Sequence, residues 1–175
     1  GLNYSSSQID KLLREIREYE RIERNCRKGM WPTKVSFRKF YTTKSCDVRL
    51  IRHLIYDAQP ELRSVWKEKD WAYYDLITEM NDDIADVIED LNTYNGNRFL
   101  ISVLRKGSFK TEKQYRAYID KITVKARNYF KKYSDDGYIH QLYNWTIERS
   151  VETLDLLDKT VHANDPMLFS KSLLL

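Results

Sequence analysis

"MNDDIADVIEDL", residues 80–91, sets five carboxylates and one asparagine among five apolar side chains. Met80, Ile84, Val87, Ile88 and Leu91 recur at the three-and-four spacing of one helix face, so the stretch predicts an amphipathic helix. On that helix the polar residues form two ladders, because side chains four residues apart stand one above another. Asn81, Ala85 and Glu89 make the first ladder; Asp82, Asp86 and Asp90 make the second. Carboxylates stacked about 5 to 6 Å apart repel one another, at a cost comparable to the ~0.2 to 0.5 kcal/mol of a favourable pair. Such a row is either a solvated outer face or a place where a divalent cation reverses the sign, since Mg²⁺ takes hard oxygen donors.

The same periodicity extends outward in both directions. Pro60 opens a helix at its first turn, and the apolar pattern runs from there, interrupted near Lys69, to Leu91. Before it, Ser5 to Ser7 offer N-caps to a helix carrying Ile9, Leu12, Leu13, Ile16, Tyr19 and Ile22, which Gly29 and Pro32 should stop. The segment from Val35 to Ala58 reads as helix with a break between Thr42 and Cys46, where small polar and β-branched residues collect. "NTYNGN", residues 92–97, is a turn signal, followed by the short apolar run "RFLISVLRKG". A long helix then places Tyr115, Tyr118, Ile119, Ile122 and Ala126 on one face, and "SDDG" breaks it. A last helix from about Tyr138 to His162 carries Ile139, Leu142, Tyr143, Ile147, Val151, Leu154 and Leu157 as its predicted apolar face. The expectation is an all-α antiparallel helical bundle, one domain over residues 1–175, with a loosely attached tail over 163–175.

Composition agrees with long charged helices: 32% of residues are charged, against 5 Gly and 3 Pro. The net charge of +4 leaves 30 basic residues nearly balanced by 26 acidic ones, too small a surplus to point to nucleic acid. "RNCRKGMW" and "KARNYFKKY" interleave basic and aromatic residues, but each lies on a helix that already accounts for it, so no nucleic-acid partner is expected. Cys26 and Cys46 have no zinc-type spacing, and His53, His140 and His162 have none either, which favours a reduced, cytoplasmic setting. No apolar run reaches the length of a membrane span.

"NDDIADVIE", residues 81–89, resembles the second metal motif of class I terpene synthases, N-D-x-x-S/T-x-x-x-E. Asn81, Asp82 and Glu89 match; Ala85 stands where the family carries a hydroxyl, so either the site is weakened or Asp82 and Asp86 take over part of it. Downstream, "NRFLISVLRKGSFKTEKQYRAYI" follows the family's order of Asn, apolar run, Gly and helix start, and "YIHQLYNWTIERSVE" is similar to its Y-x-x-x-L-x-x-W-x-x-x-N segment. Upstream, "SFRKFYTTKSCDVRL" puts Lys44 at the place of an arginine that senses diphosphate. A lysine keeps the charge there without the bidentate fork. The resemblance covers about Val35 to Lys159 and lacks the family's first aspartate-rich motif and its terminal Arg-Tyr pair, for which Lys159 is the substitute.

The resemblance implies the isoprenoid synthase fold in an incomplete form, the C-terminal part of such a domain, acting with a missing N-terminal half or as a homodimer. It implies Mg²⁺ held by Asn81, Asp82, the Ala85 position and Glu89, with Lys44 as the catalytic cation. The metal would neutralise the diphosphate of an isoprenyl substrate while the C–O bond breaks. Tyr74, Ile77 and Thr78, on the helix face of Asn81, would line the cavity that shelters the carbocation. Trp145 and Tyr143 read as core. Two other readings stand beside this one. Prenyl-chain-elongating synthases share the fold, and Lys44 with Asp82, Asp83 and Asp86 imitates their Lys-Thr and "DDxxD" motifs, although their Gly-Lys-rich segment is lacking. The other is a non-catalytic helical interaction module.

Overall fold

The computed structural model describes residues 5–27, 35–92, 96–133 and 137–163. Among the described residues the chain forms eight α-helices and no strand. They are α1 (Ser6–Arg27), α2 (Phe37–Lys44), α3 (Cys46–Ala58), α4 (Pro60–Val65), α5 (Glu68–Ala85), α6 (Arg98–Lys106), α7 (Ser108–Phe130) and α8 (Gly137–Ala163). None of these is long and apolar enough to cross a membrane. The expected stop at Gly29, most of "SDDG" and the tail beyond Ala163 lie outside the described residues.

Local chemistry accounts for most boundaries. Ser36 caps α2 by accepting the Lys39 N–H at 3.1 Å, and Pro60 occupies the first turn of α4, where its missing N–H costs nothing. The expected break falls at Ser45, between α2 and α3, where the Ser45 hydroxyl donates to the Thr42 carbonyl. The interruption expected near Lys69 falls at Trp66 and Lys67, and the Asp70 carboxylate accepts the Lys67 N–H at 2.9 Å to start α5. Asn97 caps α6 through the Leu100 N–H, and Gly107, at φ +81°, separates α6 from α7 in a conformation open to glycine.

Helix α5 is the centre of the bundle. It packs along α8 and against α2, α6 and α7. Cross-contacts fix the directions: Trp66 meets Tyr138 and Asn81 meets Thr153, so α5 and α8 run parallel, while Tyr73 near the start of α5 meets Phe130 at the end of α7, and Asp83 near the end of α5 is joined through Tyr41 to Tyr115 near the start of α7, so α7 is antiparallel to α5. Thus the expected alternation of directions holds for α7 but not between α5 and α8. Phe40, Tyr41, Ile77, Met80, Ile84, Phe99, Leu100, Tyr115 and Ile119 build the main core. Full burial of one such side chain stabilises the fold by about 1.5 to 3 kcal/mol.

Two expectations about faces are corrected. The buried stripe of α8 runs Ile139, Leu142, Thr146, Ser150, Thr153, Leu157 and Thr160, whereas Val151 is 54% exposed. Small hydroxyl residues admit α5 closely, and each of Thr146, Ser150 and Thr153 returns its hydrogen bond to a carbonyl one turn back, so burial leaves no donor unpaired. The second correction is the end of α5, which stops at Ala85 rather than Leu91. A continuing helix would give the Asp83 carbonyl to the Val87 N–H; here the Asn97 side chain takes it, at 2.7 Å. Residues 86–88 form a turn and Glu89–Asn92 a short 3-10 segment.

Candidate functional site

Along one edge of α5, Tyr74 and Thr78 border a trough of about 320 Å³ between α3, α4 and α5. Its walls are aromatic and aliphatic: Trp66, Trp71, Tyr56, Ile51 and Ile55. Trp71 and Tyr74 also face an adjoining hollow of about 400 Å³ bounded by Trp145 and Arg149 of α8. The indole N–H groups are spent elsewhere, Trp71 on the Tyr56 hydroxyl at 2.8 Å and Trp66 on the Tyr138 carbonyl at 3.0 Å. Ring centroids lie 5.5 Å apart for Trp66 and Trp71, 5.9 Å for Trp71 and Tyr74, and 6.0 Å for Trp66 and Trp145. Arg52 stands 4.5 Å over Trp71 and is held by Asp75 at 2.5 Å. The Thr78 hydroxyl oxygen is buried without a hydrogen-bond partner among the described residues.

One turn beyond Thr78 on the same edge comes Asp82, and the Asp86 N–H donates to the Asp82 carbonyl at 2.9 Å, so Asp86 follows one turn later. The Asp90 N–H donates in turn to the Asp86 carbonyl at 2.8 Å, so bonds between residues four apart link Asp82, Asp86 and Asp90 across the turn that follows α5. Both Asp82 and Asp86 are exposed. Partial burial raises the pKa of Asp82 above its ordinary value, Lys44 and Arg149 oppose that rise, and the Asp86 carboxylate adds to it.

The predicted site residues are divided among several surroundings. Tyr74 and Thr78 reach the trough together, with Asp82 in the same row. Ile77 instead points into the core, fully buried, because it lies on the α5 face packed against α2 and α7. Asn81 turns toward α8 and donates to the Thr153 hydroxyl at 3.1 Å. Ala85 ends α5 and is exposed, and Glu89 is exposed on the 3-10 segment beyond it, so the Asn81, Ala85, Glu89 ladder is not carried by one continuous helix. Lys159 is exposed on α8 and lines neither hollow.

Lys44 is paired. Its ammonium contacts the Asp83 carboxylate at 2.6 Å and Glu79 at 3.7 Å. Asp83 is fully buried and also accepts the Tyr41 hydroxyl at 2.8 Å and the Arg98 backbone N–H at 2.9 Å. Tyr41 and Tyr115 share a hydrogen bond of 2.5 Å behind it. Burial works against the Lys44 charge, but Asp83 and Glu79 overcome it and raise the lysine's pKa. Burial pushes Glu79 up to about 8, against the pull of Lys44. Asp83, one of the three acids in the "DDxxD" reading, therefore ties α2, α5, α6 and α7 together rather than facing a hollow.

Sequence reasoning missed Arg149, which lines the hollow beside Trp145. A signal existed, since it holds the last position of the "YIHQLYNWTIER" pattern. Elsewhere Glu112, Asp158 and His162 place ligand atoms within 4.8 Å of one another, but Arg116 pairs with both carboxylates and already neutralises them. No family model matches the chain, and neither the curated proteins nor the solved structures contain a match to it.

Proposed function

We propose that the trough is one wall of a site for an isoprenyl diphosphate, and that the chain is the C-terminal part of a helical domain that ionises such a substrate. The supporting observation is the row Tyr74, Thr78, Asp82, which leads from an aromatic hollow to paired carboxylates on one helix edge. Ionising an allylic diphosphate needs both features: charge neutralisation at the head group and a dry, π-rich surface for the cation.

The donor set suits Mg²⁺ in part. Asp82 and Asp86 offer hard oxygens on successive turns; burial is the main cause of the raised Asp82 pKa, and the Asp86 charge adds a repulsion that a divalent cation relieves. Asn81 is engaged with Thr153 and Ala85 has no donor, so the pair Asp82 and Asp86 takes their place. When bound, Mg²⁺ would supply electrostatic neutralisation of the departing diphosphate. The chain's own groups do the remainder. Trp71, Tyr74 and Trp145 exclude water and present their faces to positive charge, the unpartnered Thr78 hydroxyl offers a hydrogen bond, and Arg149 adds a second cation near Asp82. Lys44 acts by holding Asp83 and Glu79 in place.

The test is diphosphate release from geranyl, farnesyl and geranylgeranyl diphosphates by the full-length protein, with and without Mg²⁺. Absence of turnover with all three sinks the reading. One observation favours the alternative of a helical interaction module: α3 exposes Val48, Ile51 and Ile55 along the trough, and Leu54 as well, with Ile51 56% exposed. Self-association abolished by Ile51→Glu, in a protein without turnover, would favour that module.

A further inference from the structure

On the opposite face of α5 lies a larger hollow, of about 890 Å³, between α2, α5 and α7. Five cationic side chains line it, Arg38, Lys69, Arg98, Lys121 and Lys125, and among the described residues its lining holds no carboxylate. Among the described residues Arg38, Lys69, Lys121 and Lys125 pair with no acid. In a chain whose 30 basic residues meet 26 acidic ones, such one-sided charge at one hollow is not the general surface.

Arg98 distinguishes the hollow from a solvated basic face. It is only 6% exposed, and its guanidinium donates to the Val35 carbonyl at 2.9 Å and the Ser36 carbonyl at 3.1 Å. Its Cζ lies over the Phe37 ring, 4.4 Å from the centroid. Its Nε is buried with no partner among the described residues. A guanidinium taken out of water without a carboxylate and with a donor unused is an incomplete arrangement, which an anion completes by charge and by hydrogen bond.

The remaining walls describe the rest of the ligand. Tyr73, Tyr118 and Tyr129 present rings to the hollow, and Gln114 adds an amide. Tyr73 and Tyr129 are 5.7 Å apart at one end, whereas Phe37 and Tyr118 stack at 4.8 Å beside Arg98 at the other. From Gln114 to Tyr129 the lining follows α7 for about 22 Å at the helical rise, so the cations are spread along the hollow rather than gathered at one head-group position. We propose that this hollow is a second binding site, distinct from the trough, for an organic polyphosphate carrying a planar ring, with a terminal phosphate at Arg98 and the ring on the tyrosines. A buried arginine suits a terminal phosphate, which ends there; a phosphodiester strand would have to pass it and emerge again. The volume falls within the roughly 300 to 1,000 Å³ of small-ligand sites.

The test is calorimetric titration of the full chain with ATP, GTP, inorganic triphosphate, farnesyl diphosphate and a single-stranded oligonucleotide. The nucleoside triphosphates are expected to bind, more tightly than inorganic triphosphate and more weakly as salt rises. Lys121→Gln with Lys125→Gln, both on exposed positions of α7, should weaken them about tenfold without altering helical content. Arg98→Lys, which keeps the charge without the fork, should weaken them as well. Trp71→Ala, at the trough, should leave this binding unchanged while impairing isoprenyl-diphosphate turnover, so the two sites fail separately. Binding unaffected by the double substitution, no heat with any triphosphate, or binding confined to the oligonucleotide would each overturn the proposal.

Discussion

The Lys44 ammonium stands 2.6 Å from the Asp83 carboxylate, whose side chain is wholly excluded from solvent. Removing one partner leaves the other charged and desolvated, so Asp83→Ala should destabilise the fold by about 3 to 5 kcal/mol, read as a lower urea midpoint. Replacing both, as Lys44→Met with Asp83→Leu, should recover much of that loss. A double variant no better than Asp83→Ala would mean that the Tyr41 and Arg98 bonds, rather than the ion pair, carry the effect.

Glu79 gives the fold a pH dependence of definite sign. Burial raises its pKa from 4.5 unfolded to about 8 folded, so between those values the native state binds more protons than the unfolded chain. The stability it contributes is fully present below 4.5 and is lost as pH rises through about 8. Urea denaturation across that window should show stability falling by up to about 1.4 kcal/mol per pH unit, and Glu79→Gln should flatten the slope. Equal slopes for the two proteins would assign the titration elsewhere.

At the trough, the two ladders make opposite forecasts. With α5 ending at Ala85, Asp82→Asn should abolish Mg²⁺-dependent diphosphate release and Asp86→Asn should reduce it by at least tenfold, about 1.4 kcal/mol of transition-state stabilisation. Glu89→Gln, on the 3-10 segment rather than on the turn that Asp86 bonds back to Asp82, should change kcat/KM little. The reverse order would restore the Asn81, Ala85, Glu89 ladder as the metal site.

Ile77 and Tyr74 separate packing from ligand contact. Ile77→Ala should cost about 2 to 5 kcal/mol of stability, since the side chain is fully buried, with the activity of the folded fraction retained. Tyr74→Ala should cost less stability, because Tyr74 is half-buried at the trough, and should raise KM or lower kcat. Thermal unfolding and steady-state kinetics measured on the same preparations distinguish the two.

Punctuation made most helices legible from the sequence: Pro60, the "NTYNGN" turn signal and the cluster around Ser45 all act through neighbours within a few residues, and the caps at Ser36 and Asn97, not anticipated from the sequence, are equally local. The end of α5 was not legible, because the apolar spacing of Ile84, Val87, Ile88 and Leu91 continues past it. What stops the helix is Asn97, a residue 14 positions away that takes the Asp83 carbonyl. The buried stripe of α8 was hidden for a related reason. Its Thr and Ser residues score as polar, and only the nearness of α5 explains why small hydroxyls are buried while Val151 is not. Of the candidate site, the helical period put Tyr74 and Thr78 on the face of Asn81, which turns instead toward α8, whereas the occupation of Lys44 by Asp83 depends on α2 meeting α5 across 39 residues.

That long reach also bears on the order of assembly. Tyr41 joins Asp83 over 42 positions and Tyr115 over 74, so these bonds close large loops and must await chain segments that find one another late. Substitutions at Asp83 should accordingly quicken unfolding far more than they slow refolding, making this cluster a latch on the lifetime of the native state.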